Sequence, residues 1–171
     1  MSDFNSLTAS ELGDLIGQGE IDPVELTEYF ISQIELSPIG RKIYSTVTSQ
    51  LALEQAKDSK IRAKLGRRLS SLDGVPISWK DLFDIKGYPC EAGSDLLAGR
   101  LANKNSKVYN FAEAHGLICL GKTHMSELAF SGLGLNPVTE TPPCVNYPES
   151  VPGGSSSGAA TSVAFGLAAA G

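Results

Sequence analysis

The stretch "VPISWKD", Val75 to Asp81, decides the architecture. Val75, Ile77 and Trp79 alternate with Pro76, Ser78 and Lys80, and a period of two in β-branched and aromatic residues predicts a strand. Upstream of it, the turn "SSLDG" follows a polar-faced helical stretch, "LALEQAKDSKIRAKLG", which itself follows a second strand-like run, "KIYSTVTS". Two helices precede these. In "TASEL", Thr8 and Glu11 form a capping box ahead of Leu12, Leu15 and Ile16, and Gly17 and Gly19 are expected to stop the helix. In "DPVELTEYFISQIE", Asp22 caps, Pro23 takes the first helical position, and Leu26, Tyr29, Phe30 and Ile34 form the apolar stripe. Downstream come a helix ("SKVYNFAEAHG"), a strand ("LICLGKT"), a short helix ("SELAF") and a long loop rich in Pro, Asn and Gly. The chain then enters the turn "VPGGSSSGAA" and a final helix, "GAATSVAFGLAAAG". Helices alternating with short apolar strands imply an α/β fold whose sheet is covered on both faces.

The bulk properties agree and exclude several function classes. At 171 residues, 42% hydrophobic and 19% charged, the chain fits one globular domain able to bury a core. Its net charge of -5 comes from scattered acids, and Lys and Arg form no dense stripe beyond "RRLSS", so no nucleic-acid partner is expected. No basic leader opens "MSDFNSLTASELG", and the apolar run "VAFGLAAAG" is far below the roughly 20 residues that span a bilayer, so a cytoplasmic protein with no membrane partner is expected. Cys90, Cys119 and Cys144 are odd in number and far apart, and read as reduced thiols rather than a zinc site or a disulfide framework. His115 and His124 add no pair with ligand spacing, so neither a metal nor another cofactor is implied.

The serine turn invites three chemistries and fits none of the familiar ones. Gly153 to Gly158 has the glycine spacing of a phosphate-binding loop, but Ala159 and Ala160 stand where lysine and Ser/Thr belong. Gly154, Ser156 and Gly158 match the G-x-S-x-G of a hydrolase elbow, yet no His, Asp or Glu follows Gly158 to complete a triad in that order. Neither histidine is followed by an Asp before the serines, which removes the chymotrypsin order as well. A serine-glycine loop that only caps the last helix stays open beside them. Lys80 offers another route. Val75, Ile77, Trp79, Leu82, Phe83 and Ile85 surround it in sequence, and desolvation disfavours an ammonium, so a neutral lysine can serve as a base for serine hydroxyls.

Taken together, "LDGVPISWKDLFDIKGYPCEAGSDLL", "GKTHMSELAF" and "VPGGSSSGAATSVAFGLAAAG" resemble the amidase signature family, and the resemblance extends over essentially the whole chain. It implies a mixed, twisted sheet flanked by helices on both faces, and hydrolysis of carboxylic amides by a Ser-Ser-Lys triad that releases ammonia or an amine. Residue by residue, Lys80 matches the catalytic lysine and Ser155 the bridging serine, whose peptide bond with Gly154 is cis in the family. The sequence departs from the family's GGSSGG at Ser157.

In the family the nucleophilic serine and the oxyanion amides lie in a second motif, G-T-D-x-G-G-S, which does not occur in these residues; "AGSD" around Ser94 matches another stretch. The chain is therefore expected to be the N-terminal part of a single amidase signature domain over residues 1–171, a fragment or a truncated product, inactive alone. A small-molecule amide is the expected partner, and the assembly is left open, a homodimer included. Two roles compete in the family: a stand-alone amidase, or the A subunit of glutamyl-tRNA amidotransferase, which takes ammonia from glutamine and passes it to a partner subunit. "SGLGLNPVTETPPC" replaces the amidotransferase-like G-S-S-T-E-N-S and favours the first. A non-catalytic binding domain on the same scaffold is the third reading.

Overall fold

A computed structural model of the chain describes residues 4–171. Helix α1 (Ala9–Gln18) begins with the capping box in place: Glu11 N donates to Thr8 Oγ1 at 3.3 Å and Thr8 N to Glu11 Oε2 at 2.7 Å. It runs through Gly17, and Gly19, at φ 77°, closes it by donating to the carbonyls of Leu15 and Ile16. The left-handed conformation needed at that cap costs glycine nothing, which is why the second glycine and not the first sets the boundary. Helix α2 (Pro23–Leu36) is capped by Asp22 Oδ1, which accepts from Val24 N at 2.9 Å.

A short helix, α3 (Gly40–Ile43), leads into strand β1 (Tyr44–Val47), followed by helix α4 (Ser49–Lys64) and strand β2 (Pro76–Lys80). Helix α5 (Lys107–Ala114) precedes strand β3 (Ile118–Thr123), and helix α6 (Ser157–Ala164) follows the long loop. The three strands lie in the order β1-β3-β2, antiparallel between β1 and β3 and parallel between β2 and β3, so the sheet is mixed. Parallel pairing needs a crossover, and the helix α5 with its flanking loops supplies it. Every residue of β3 is buried. Because successive side chains point to opposite faces, continuous burial means that both faces are covered, α2 and α4 packing against β3 and α6 against β2 and β3.

Two expectations from the sequence change, and the sequence leaves a third feature open. Alternation in β2 does not by itself say what covers Ser78; Pro76 through Trp79 are all buried, and Ser78 Oγ lies 2.8 Å from Ser162 Oγ of α6. The polar half of the strand is satisfied inside the protein rather than by water. The final helix stops at Ala164 instead of running on; Gly166 turns at φ 66° and Leu167 N donates back to Ser162 O at 2.7 Å. The chain then extends along β2: Ala169 N donates to Pro76 O at 3.1 Å and Ser78 N to Ala170 O at 2.9 Å. Finally, "SELAF" is one 3-10 turn, Glu127–Ala129, with Leu128 at φ 48° and Ala129 at φ 60°. Leu128 N donates to Ala92 O at 2.9 Å, a contact across the fold that overrides local helix preference.

Candidate active site

Lys80 is the last residue of β2, and its Nζ donates to Ser155 Oγ at 2.6 Å. The structure thus brings together the two residues singled out by sequence, 75 positions apart. Lys80 is half-buried and has only this hydroxyl, and no carboxylate, as a side-chain partner among the described residues. Burial pushes its amine below the usual lysine range. The apolar surroundings are those expected from the neighbouring sequence. Trp79, Leu82 and Phe83 line a cavity of about 430 Å³ together with Lys80 and Ser156. A second, more open cavity, also about 430 Å³, is lined by Ala129 to Gly132 and Ser155.

The serine turn is held by main-chain bonds rather than by its own hydroxyls. Ser126 N donates to Ser155 O at 3.1 Å, Gly154 N to Gly132 O at 2.9 Å and Gly158 N to His124 O at 2.9 Å. The Gly154–Ser155 peptide is cis. A Cβ at Gly154 would sit 2.7 Å from Gly134 N and 2.8 Å from Ser126 Oγ, and one at Gly158 would sit 2.6 Å from His124 O. Both positions therefore exclude any larger residue unless main chain moves. At the departure from the family's turn, the close approach falls on Gly158, and the Ser157 hydroxyl has no partner among the described residues. Ser157 itself is fully buried.

Sequence reasoning missed further residues at the site. Lys122, fully buried in β3, donates to Asp81 Oδ1 at 2.7 Å and to Pro89 O at 3.1 Å. The signal was a lysine inside the apolar run "LICLGKT", which demands a buried counter-charge. Asp81 stands out in the sequence only as the neighbour of Lys80. Ser126, fully buried, carries a hydroxyl with no partner among the described residues, close under Gly154. His124 is also buried, and burial holds its imidazole below the ordinary histidine range. Cys90 and Cys119 are buried free thiols, and burial pushes Cys119 up to about 11. Among the described residues no group of three His, Cys, Asp or Glu side chains is placed to hold a metal ion, and no helix is long and apolar enough to cross a membrane.

Comparison with known proteins shows what the chain is similar to. A model of the family described as Amidase matches residues 25–171. The A subunit of the glutamyl-tRNA(Gln) amidotransferase of Acinetobacter baumannii is 34% identical over 171 residues, covering 98% of this chain and 34% of that protein. Among solved structures, the native peptide amidase from Stenotrophomonas maltophilia superposes with a TM-score of 0.87 at 25% identity, over 97% of this chain and 35% of its own. A bacterial aryl acylamidase of the amidase signature enzymes gives 0.84 at 28% identity, over 95% of this chain and 34% of its own. The chain spans about a third of the length of the curated relatives it matches.

Proposed function

The chain belongs to the Amidase family, and from that premise we propose that it carries the basic part of an amide-hydrolysing site, with Lys80 as general base and Ser155 as the hydroxyl that relays its proton. The observation that carries the proposal is the 2.6 Å contact between Lys80 Nζ and Ser155 Oγ, made by a lysine without a carboxylate partner among the described residues. A neutral amine at that distance can take a proton through Ser155 from an attacking serine and return it to the leaving nitrogen, so one group serves as base and then acid. The resemblance puts the attacking serine and its oxyanion amides on G-T-D-x-G-G-S, a motif outside these residues. The substrate would be a small carboxylic amide, cleaved to the acid and ammonia or an amine, with no cofactor in the chemistry. Residues 1–171 are read as part of one domain, in keeping with the family match over 25–171.

A second reading is favoured by the name of the 34%-identical relative, the A subunit of a glutamyl-tRNA(Gln) amidotransferase. In that reading the amide would be glutamine, and the ammonia would pass to a partner protein. Both readings share the same first step. In a chain that also carries the attacking serine, release of ammonia from glutamine is compared with release from aliphatic, aromatic and peptide amides. Preference for glutamine supports the second reading, preference for the others the first, and turnover of none removes both. The pH profile tests the base. Because burial lowers the Lys80 amine, activity should rise with pH through a value below the usual ~10.4 of lysine, as the ammonium loses its proton. A profile flat over that range, or one rising only above it, would remove Lys80 as the base.

A further inference from the structure

We propose that the buried Asp81–Lys122 pair is the positioning element of the site: it sets where Lys80 stands relative to Ser155. The inference rests on the reading of Lys80 as base and goes beyond it. Asp81 directly follows Lys80, and its polar groups tie the end of β2 to strand β3 and to the 91–92 segment. Its N–H donates to Thr123 O of β3 at 3.0 Å, and its carbonyl accepts from Ala92 N at 3.0 Å. Its Oδ1 accepts from Lys122 Nζ at 2.7 Å and its Oδ2 from Glu91 N at 3.1 Å. Lys122 in turn donates to Pro89 O at 3.1 Å, so the pair also holds the 89–92 segment against the sheet.

That segment reaches the other half of the site. Ala92 O accepts from Leu128 N at 2.9 Å, and Ser126, two residues earlier, donates to Ser155 O at 3.1 Å. A continuous set of bonds therefore runs from Lys122 and Asp81 through Ala92 and the 126–129 turn to Ser155. Lys80 hangs from one end of it and Ser155 from the other. Ala92, Leu128 and Ala129 are all left-handed, and non-glycine residues hold that conformation only where their surroundings over-determine it. Lys122 and Asp81 are almost completely buried, so the pair cannot be exchanged for water.

The test reads Lys80 directly and needs no turnover. The lysines of the chain are reductively methylated with ¹³C-formaldehyde, and the dimethyl-Lys80 resonance, assigned with Lys80→Arg, is followed against pH. The variants are the charge-neutral double substitution Asp81→Asn with Lys122→Met, and Asp81→Glu, which keeps the pair but displaces its carboxylate by one methylene. If the pair positions Lys80, both variants let water reach the amine, and its titration midpoint rises by about one pH unit or more toward that of an exposed lysine. An unchanged midpoint in either folded variant overturns the proposal. Asp81→Glu decides the matter if the double variant does not fold, and failure of both to fold is counted against a positioning role and in favour of a purely structural one. A midpoint already ordinary in the unsubstituted chain would instead refute Lys80 as base, which separates failure of the function from failure of this inference.

Discussion

Strand β2 has a cation at each end, and the two are treated differently. At the start, Arg62 faces a carboxylate: its Nε and Nη2 reach both oxygens of Asp73 at 2.8 and 2.7 Å, and Leu69 N adds a third bond at 2.9 Å. Burial alone would raise the Asp73 carboxyl, but the guanidinium and the amide hold it below the usual range, while the Asp73 hydrogen bonds lift Arg62. Both groups stay charged throughout the physiological range. At the far end, Lys80 faces a hydroxyl, and burial lowers its amine with no carboxylate to oppose it. One end is locked in charge and ties the chain together. The other is free to titrate, as the proposed base requires.

The strain is distributed in the same way. Among the described residues the three left-handed non-glycine positions, Ala92, Leu128 and Ala129, all lie on the Lys80 side. Gly116, at the Asp73 end, turns at φ 84° where a Cβ would strike the Asp73 carboxylate, so glycine is required there by contact as well as conformation.

The largest expected effect breaks the comparison at Lys80. In a chain that carries the attacking serine, Lys80→Ala should cost about 10³-fold or more in kcat/KM for amide hydrolysis, with the fold retained in circular dichroism. Near-normal turnover would show that the two ends do not differ in function. Next is Asp73→Ala, which leaves Arg62 and Leu69 N without their acceptor and should destabilise the protein by about 3 kcal/mol in urea unfolding. Equal losses from Asp73→Ala and Lys80→Ala would erase the contrast between a structural and a functional cation.

A smaller effect sharpens the account of strain. Ala92→Gly should stabilise by up to about 1 kcal/mol, because relief of the left-handed conformation outweighs the extra freedom of glycine in the unfolded chain. A drop in thermal midpoint would mean that the Ala92 methyl contributes more by packing than its backbone costs.

The smallest effect concerns His124. Burial lowers its folded pKa below the unfolded value, so its contribution is present above about pH 6.5 and lost as pH falls through the folded value. His124→Asn should flatten the decline of stability on the acid side, measured as the change in unfolding free energy with pH between neutrality and the acid range. An unchanged slope would assign that decline to other groups.

Much of this was legible in the sequence. The helix starts at Thr8 and Asp22, the three strands, and the pairing of Lys80 with Ser155 all come from local patterns or from the family resemblance, and each occupies the expected place. The apolar neighbours of Lys80 already implied a lowered amine, because residues adjacent in a strand end share its environment. Three other features were not legible. Ser78 is a polar residue in an alternating strand, and nothing near it in sequence shows that Ser162 lies over it; the final residues look helical, but they pair with β2; and Lys122 finds its counter-charge 41 residues away. Periodicity and capping are properties of a few consecutive residues, so the sequence determines them by itself. Whether a strand face meets water or a helix, and which carboxylate meets a buried ammonium, depends on segments distant in the chain arriving together, and only the tertiary structure decides that.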